Sequence, residues 1–326
     1  MLGLGTIGTS FITPEFIDAA LKSERYQLVR VYSRHADSAQ ELAAKYNNAA
    51  ITTDLEELFH DDRVDVVYVA SPNSLHFEQA KAALLAGKHV IIEKPVVQSE
   101  AELKELLDIA NEKGKVVVEA ARHVFEPNFQ AVKQKLSEHD SKPWGATLSY
   151  AKYSSRIDDF FAGKTPNIFT KKFAGGALND LGIYLVYAAV AWFGAPDRAT
   201  YVPQHLGNGI DGSGMMALTY PTFNVYLHVA KDYTTYDPAE IYFGKETWRI
   251  NHIQMIDETA EIINKDGSSE SLGLDEVTSG TMDDEAQAFA TFIEQAGDPA
   301  VQKQYAEFHN LMIKVIRVMD ELRTQS

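Results

Sequence analysis

A chain of 326 residues with 45% hydrophobic and 23% charged residues has the balance of a soluble globular protein and is too long for one small core, so two domains are expected. Its formal net charge of −16 and pI near 5.0 argue against nucleic acid or an anionic membrane as a main partner, yet leave room for an anionic cofactor at a local positive site. It has no cysteine, which excludes disulfides, thiolate metal sites and cysteine nucleophiles.

The longest apolar runs, such as Val64 to Ala70, fall far short of a membrane span. No basic stretch followed by an apolar run opens the chain, so no secretory leader and a cytoplasmic location are expected. No metal site is expected.

Leu2 to Ile7 predicts a first strand reaching Gly8. A literal G-x-G-x-x-G falls on Gly3, Gly5 and Gly8, but that fingerprint must follow a strand and almost nothing precedes Gly3. The phosphate loop is therefore placed at Gly8-Thr9-Ser10-Phe11-Ile12-Thr13, with Gly8 making the tight turn. Ser10 and Thr13 stand where later glycines would be. Thr13-Pro14 predicts a helix start, with Thr13 as N-cap, running to about Leu21. Free N–H groups at that terminus suit a pyrophosphate, although a plain glycine turn without a ligand fits the same residues.

Tyr26 to Tyr32 predicts the second strand, followed by Ser33-Arg34. An acid at this place holds a free ribose 2′-hydroxyl, whereas an arginine accommodates a 2′-phosphate. Guanidinium binds phosphate in bidentate fashion, and Ser33 adds a hydroxyl. NADP is therefore read over NAD, with an exposed turn arginine as the plain alternative.

Ser38 to Tyr46 predicts a helix with Leu42 inward, and Asp54 caps a helix from Leu55 to His60. Val64 to Ala70 reads as a strand covered on both faces. The loop Ser71-Pro72-Asn73-Ser74-Leu75-His76 opens a helix that ends near Leu85, before Gly87. Asn73 and His76 are candidates to line the ligand crevice, and both suit capping or surface roles as well. The strand His89 to Ile92 ends in Glu93-Lys94-Pro95. Ligands of open α/β sheets bind beyond the carboxyl ends of the strands. Pro95 fixes its own φ and biases Lys94 toward extended geometry. Lys94 can then reach into a cleft, though a surface Glu-Lys pair fits the tripeptide too.

Ser99 caps a helix from Glu100 to Glu112 that Gly114 ends, and Lys115 to Ala120 is a further strand. Alternating strands and helices predict a doubly wound parallel sheet. Arg122-His123 falls just past its last strand, in a position to face the cleft. Pro127 to Ser137 predicts a linking helix.

From about Gly145 the pattern changes. Phe223, Val225, Leu227 and Val229 alternate with Asn224, Tyr226, His228 and Ala230, a period-two strand pattern. Thr147 to Tyr153, Gly214 to Tyr220, Ala239 to Phe243 and Thr247 to Ile250 also read as strands. Together they predict an open-faced, mostly antiparallel sheet with helices on one face. Aromatic residues on the other face suggest a partner subunit. Asn264 to Gly280 reads as turns and loops, and a helical hairpin, Asp283 to Gln295 and Gln304 to Leu322, ends the chain.

Ahead of the sheet lies Gly175-Gly176-Ala177-Leu178-Asn179-Asp180-Leu181-Gly182-Ile183-Tyr184. A helix beginning near Ala177 would place Asp180 and Tyr184 on one face. A carboxylate and a phenol so placed can handle hydroxyl protons; a buried structural acid and a core tyrosine fit as well.

Taken together, these residues resemble the Gfo/Idh/MocA family of nicotinamide-dependent oxidoreductases. The resemblance spans nearly the whole chain. It is carried by Glu93-Lys94-Pro95, by Ser71-Pro72-Asn73 with His76, and by Gly175-Gly176-Ala177-Leu178 with Asp180, Gly182 and Tyr184. It implies an α/β Rossmann domain over residues 1–121 and an α+β substrate-binding and oligomerisation domain over residues 122–326, with a homodimer or homotetramer formed through the second sheet. It implies hydride transfer between nicotinamide and a carbinol or carbonyl carbon of a sugar, polyol or diol. Lys94 carries over as the catalytic lysine and Asp180 as the acid of the facing helix. Tyr184 stands where the family often has histidine, like the glucose–fructose oxidoreductase, dihydrodiol dehydrogenase and xylose dehydrogenase branch. The cofactor set is Gly8 to Ile12, Ser33, Arg34, Ser71, Pro72, Asn73, His76, Glu93, Lys94 and Arg122, for NADP or, second, NAD.

On this reading Tyr184 acts as acid/base while the Lys94 cation lowers its pKa, or the two exchange roles. The rival from another class is a dinucleotide-sensing regulator without turnover, which has no need of Lys94, Asp180 and Tyr184 together. A redox-assisted glycosidase is a third reading.

Overall fold

The computed structural model describes residues 1–277 and 282–326. The chain divides into two compact units, residues 1–122 with 281–313, and residues 123–280 with 314–326.

The first unit is built on six parallel strands: β1 (Leu2–Ile7), β2 (Tyr26–Tyr32), β3 (Ala50–Thr52), β4 (Val66–Val69), β5 (His89–Glu93) and β6 (Val117–Ala120). Their spatial order is β3-β2-β1-β4-β5-β6. The order reverses between β1 and β4, and the crevice at such a switch point is where an open α/β sheet takes its ligand. Val66, Val67, Val69, Val90, Ile91 and Ile92 are completely buried, each contributing about 1.5–3 kcal/mol. The joining helices are α1 (Ile12–Lys22), α2 (Ala36–Ala43), α3 (Leu55–Phe59), α4 (His76–Leu85) and α5 (Glu100–Lys113). Asp54 and Ser99 cap α3 and α5 as expected, their side chains accepting from the N–H of Glu56 and Glu102.

Two local expectations change. Helix α1 starts at Ile12, one residue before the expected cap, and Phe11 at its N-cap makes no side-chain capping bond. Thr13 therefore lies inside the first turn, fully buried, with its N–H donating to Ser10 O at 3.1 Å. Helix α2 covers Ala36–Ala43, two residues earlier at its start than the polar pattern suggests.

The second unit holds α6 (Pro127–Glu138), β7 (Gly145–Ala151), α7 (Ile157–Phe161), a π turn at Leu178–Gly182, α8 (Ile183–Phe193), β8 (Arg198–His205), β9 (Asp211–Thr219), β10 (Asn224–Ala230), β11 (Ala239–Tyr242), β12 (Glu246–Ile250), β13 (Glu261–Asn264) and β14 (Ser269–Ser271). The eight strands run β14-β13-β12-β11-β7-β10-β9-β8. Neighbours are antiparallel except β7 and β10, which pair in parallel at the centre. Leu148, Val225, Leu227, Val229, Ile241 and Trp248 turn to the buried face, and α8 packs on β7 and β10. On the opposite face, Val202, Met215 and Tyr226 are exposed. Strands β8, β13 and β14 were not expected. β14 interrupts the stretch read as loop from Asn264, whose last residues, 278–280, lie outside the described residues.

The chain closes with α9 (Asp283–Glu294) and α10 (Pro299–Arg323). Helix α9 packs on α1, and the Tyr26 hydroxyl donates to Ala286 O at 3.0 Å. The stretch Lys171–Phe193 is long and apolar enough to cross a membrane, with mean hydropathy 1.3, but 67% of that window is buried inside the fold, as suits a core helix.

Candidate active site

Three loops at the carboxyl ends of β1, β2 and β4 gather the residues expected to hold a cofactor. Gly8 ends β1 with φ +105°, and a β-carbon there would lie 2.4 Å from Ala70 O. Only glycine allows β1 and β4 to run so close at the switch point. Gly3 has a different task inside β1, where a β-carbon would strike Arg63 O at 1.7 Å, so it belongs to strand packing. After Gly8, Thr9 and Ile12 are half-buried, while Ser10 and Phe11 are exposed at the start of α1. Beyond β2, Ser33 is buried; its N–H donates to Thr52 O at 3.2 Å and its Oγ accepts from His35 N at 3.3 Å. Arg34, the next residue, is exposed. A side-chain-free turn, a helix N-terminus and an outward arginine fit a dinucleotide that carries a 2′-phosphate.

The loop after β4 is braced from within. Ser71, Pro72 and Asn73 are half-buried, with Asn73 opening a single 3-10 turn. Ser71 Oγ donates to Gln79 Oε1 at 2.6 Å. His76, expected to line the crevice, is instead fully buried. Its Nδ1 lies 2.9 Å from Pro95 O and its Nε2 2.8 Å from Ser71 O. Burial pushes the imidazole below its ordinary pKa, against the pull of the two carbonyls. A neutral ring has one N–H and donates to one carbonyl at a time. His76 thus ties the loop after β4 to the loop after β5.

At the end of β5, Glu93 is not half of a surface pair. It is buried, its Oε1 accepts from the Tyr68 hydroxyl at 2.5 Å, and its Oε2 accepts from Lys94 N at 3.3 Å. Burial raises its pKa, opposed by the charges of Lys94 and Arg122 and by the Tyr68 bond. Lys94 and Arg122 are both half-buried. The Lys94–Pro95 peptide is cis. A second buried acid, Glu119, accepts from Val96 N at 3.0 Å. Tyr68, stacked on Phe16 at 4.1 Å, and Glu119 support this loop, and neither was singled out from the sequence.

In the second unit, Gly176 has φ +105°, and a β-carbon would fall 1.8 Å from Asp211 Oδ1. Asp211 Oδ2 accepts from Leu178 N at 2.7 Å and from the Tyr201 hydroxyl at 2.8 Å. The backbone then enters the π turn, where an α-helix was expected; such turns appear mostly as single insertions in helices, frequently at functional sites. Asp180, half-buried, forms an ion pair with Lys231. One turn on, the half-buried Tyr184 ring sits 4.7 Å from the His123 ring and 5.5 Å, edge-on, from Tyr150. The carboxylate and the phenol are thus carried by one continuous helical segment, the phenol in an aromatic wall and the carboxylate against a cation.

A family model described as an oxidoreductase family with an NAD-binding Rossmann fold (GFO_IDH_MocA) matches residues 2–121. The chain is 36% identical over 325 residues to scyllo-inositol 2-dehydrogenase (NADP(+)) IolU of Bacillus subtilis, spanning 100% of this chain and 97% of that protein. It is 30% identical over 223 residues to trans-1,2-dihydrobenzene-1,2-diol dehydrogenase of Mus musculus, across 68% of this chain and 64% of the mouse protein. Among solved structures, KijD10, a 3-ketoreductase from Actinomadura kijaniata in complex with NADP and TDP-benzene, aligns with TM-score 0.85 at 22% identity, covering 99% of this chain and 97% of that one. At that identity the likeness concerns the fold.

Proposed function

The chain belongs to the Gfo/Idh/MocA oxidoreductase family, and we propose that within it this protein oxidises a ring hydroxyl of a cyclic polyol, or reduces the matching ketone, using NADP. The observation that carries the substrate class is the end-to-end similarity, at 36% identity, to an NADP-dependent scyllo-inositol dehydrogenase. When bound, NADP supplies the hydride acceptor, or the donor in reverse.

Gly8 to Ile12 hold the pyrophosphate through backbone N–H groups at the start of α1, and Arg34 with Ser33 takes the 2′-phosphate. Ser71, Pro72, Asn73, Glu93 and Arg122 complete the cofactor side, with His76 bracing it from below. Tyr184 moves the substrate hydroxyl proton. A phenol with a pKa near 10 is too weak a base at neutral pH without a neighbouring cation, and we assign that cation to Lys94. Asp180 accepts a hydrogen bond from a second substrate hydroxyl. The exposed Val202, Met215 and Tyr226 support a homodimer or homotetramer through the second sheet, which a monomer in sedimentation would rule out. The lack of cysteine suits a cytoplasmic location, which cell fractionation tests.

The test is NADP+ reduction, followed by cofactor absorbance, with scyllo-inositol, other inositols, aldoses and vicinal diols. Reduction with an inositol above all others is expected. Turnover of aldoses alone would overturn the substrate class and keep the chemistry. No reduction with any of them would overturn both.

A further inference from the structure

We propose that Lys231 is a positioning residue for the reaction: its buried ammonium fixes the orientation of Asp180 at the substrate. The inference rests on the reading of Asp180 as part of the catalytic set. Lys231 directly follows β10, is only 1% exposed, and pairs with Asp180 Oδ2. Its Nζ lies 5.1 Å from the centre of the Phe169 ring. A buried ammonium costs several kcal/mol unless it is paired. A leucine or methionine would fill the same space without that cost, so packing alone does not account for a lysine here.

The neighbouring charges show what the lysine is for. Asp211, which also feels the charge of Lys231, is already committed: it accepts from Leu178 N and the Tyr201 hydroxyl and presses its other oxygen toward Gly176. Asp211 therefore anchors the backbone that enters the π turn. Lys231 anchors the side chain that the turn presents. Asp180 keeps 30% of its side chain exposed while one of its oxygens is held by the lysine. The ion pair thereby sets the direction in which the exposed part of the carboxylate faces a substrate hydroxyl.

The test is a double-mutant cycle over Lys231→Met, Asp180→Asn and the pair, read in kcat, KM, NADPH affinity and urea unfolding. Misplacing a reacting group by an ångström costs about 10²-fold in rate, and Lys231→Met should lose about that in kcat while binding NADPH normally. The double variant should be no slower than Asp180→Asn alone, and Lys231→Arg should recover part of the loss. Unfolding should show coupling between the two positions, a readout that needs no turnover. If Lys231→Met does not fold, Lys231→Gln takes its place in the cycle. Full kcat in Lys231→Met beside a crippled Asp180→Asn overturns the positioning role alone, as do additive losses. Full kcat in Asp180→Asn removes the catalytic reading of Asp180, and this inference with it.

Discussion

Gly8→Ala tests the cofactor loop where its geometry is tightest. At φ +105° a β-carbon is strained by about 1–3 kcal/mol. The added methyl would also sit 2.4 Å from Ala70 O. Carbon contacts settle near 3.5 Å, so the turn and the end of β4 must part by about 1 Å. Both sides are tied down, Gly8 N donating to Tyr32 O at 3.1 Å and Ala70 N to Ile7 O at 2.8 Å. Relief therefore distorts one of these bonds, each worth about 0.5–1.5 kcal/mol. The sum is about 2–4 kcal/mol, or roughly 4–16 °C in Tm for a domain of this size. The movement also carries Ser71 and the start of α1 away from the proposed pyrophosphate site. Losing one charge-assisted bond there costs about 1.5–3 kcal/mol, a 10- to 150-fold weaker NADPH. Calorimetry and NADPH fluorescence titration read the two effects. Gly114→Ala is the control: its φ is +62° but nothing lies within 4 Å of the new methyl, so it should lose stability and keep NADPH affinity. If Gly8→Ala bound NADPH within twofold of wild type, the phosphate-loop assignment would be wrong.

The other expectations concern the cofactor's phosphate, the proton and a buried acid. Arg34→Asp should weaken NADPH by about 10- to 100-fold and leave NADH little changed, since a lost phosphate contact is worth about 1.5–3 kcal/mol; an unaltered preference in paired titrations would mean Arg34 does not read the phosphate. Tyr184→Phe keeps the ring against His123 and Tyr150, so Tm should hold while kcat falls about 10²–10⁴-fold. Lys94→Met should abolish turnover with NADPH affinity retained, and normal turnover in either variant would take that residue out of the chemistry. Glu93 sets a pH dependence. Burial raises its pKa, so the native carboxyl keeps a proton that the unfolded chain has released. Its contribution is present below the ordinary Glu range and is lost as pH rises through the raised value. In urea unfolding, the stability of Glu93→Gln relative to wild type should thus improve as pH rises above the ordinary Glu range; a flat difference would show that Glu93 ionises normally.

Much of the first unit can be read locally because its signals are local. β1 and β2 fall on the expected residues, and the caps at Asp54 and Ser99 and the left-handed Gly114 mark helix ends by chemistry within a few residues. β3 escapes because three residues, Ala50–Thr52, cannot show a period. β8 escapes for a different reason: Pro203 breaks its strand character, yet β8 is the edge of its sheet, where a proline is tolerated. Ser269–Ser271 is wholly exposed and pairs with β13 at the sheet edge, so no hydrophobic alternation exists to reveal it. Thr13 misleads because Thr-Pro is a strong start signal, whereas the hydroxyl is buried in the first turn and the helix begins without a side-chain cap.

In the candidate site, the residues proposed to face a ligand stand in short motifs, and residues that hold them in place come from far along the chain. Glu93-Lys94-Pro95 can be found by eye; that Glu93 is clamped by Tyr68 cannot, because the partner comes from the neighbouring strand. Asp180 likewise lies in a recognisable run, while its cation Lys231 closes an ordinary strand and meets it across 51 positions. No spacing rule links such pairs. His76 shows the converse: its motif places it with the ligand loop, and only its buried ring between two carbonyls reveals a brace. On the proposed function, the motif residues carry the reaction class, whereas substrate choice would depend on how rigidly distant groups such as Lys231 and Asp211 hold the π turn. A substitution at either position should therefore alter kcat among polyols more than it alters cofactor affinity, and equal effects on both would deny that the turn is their point of action.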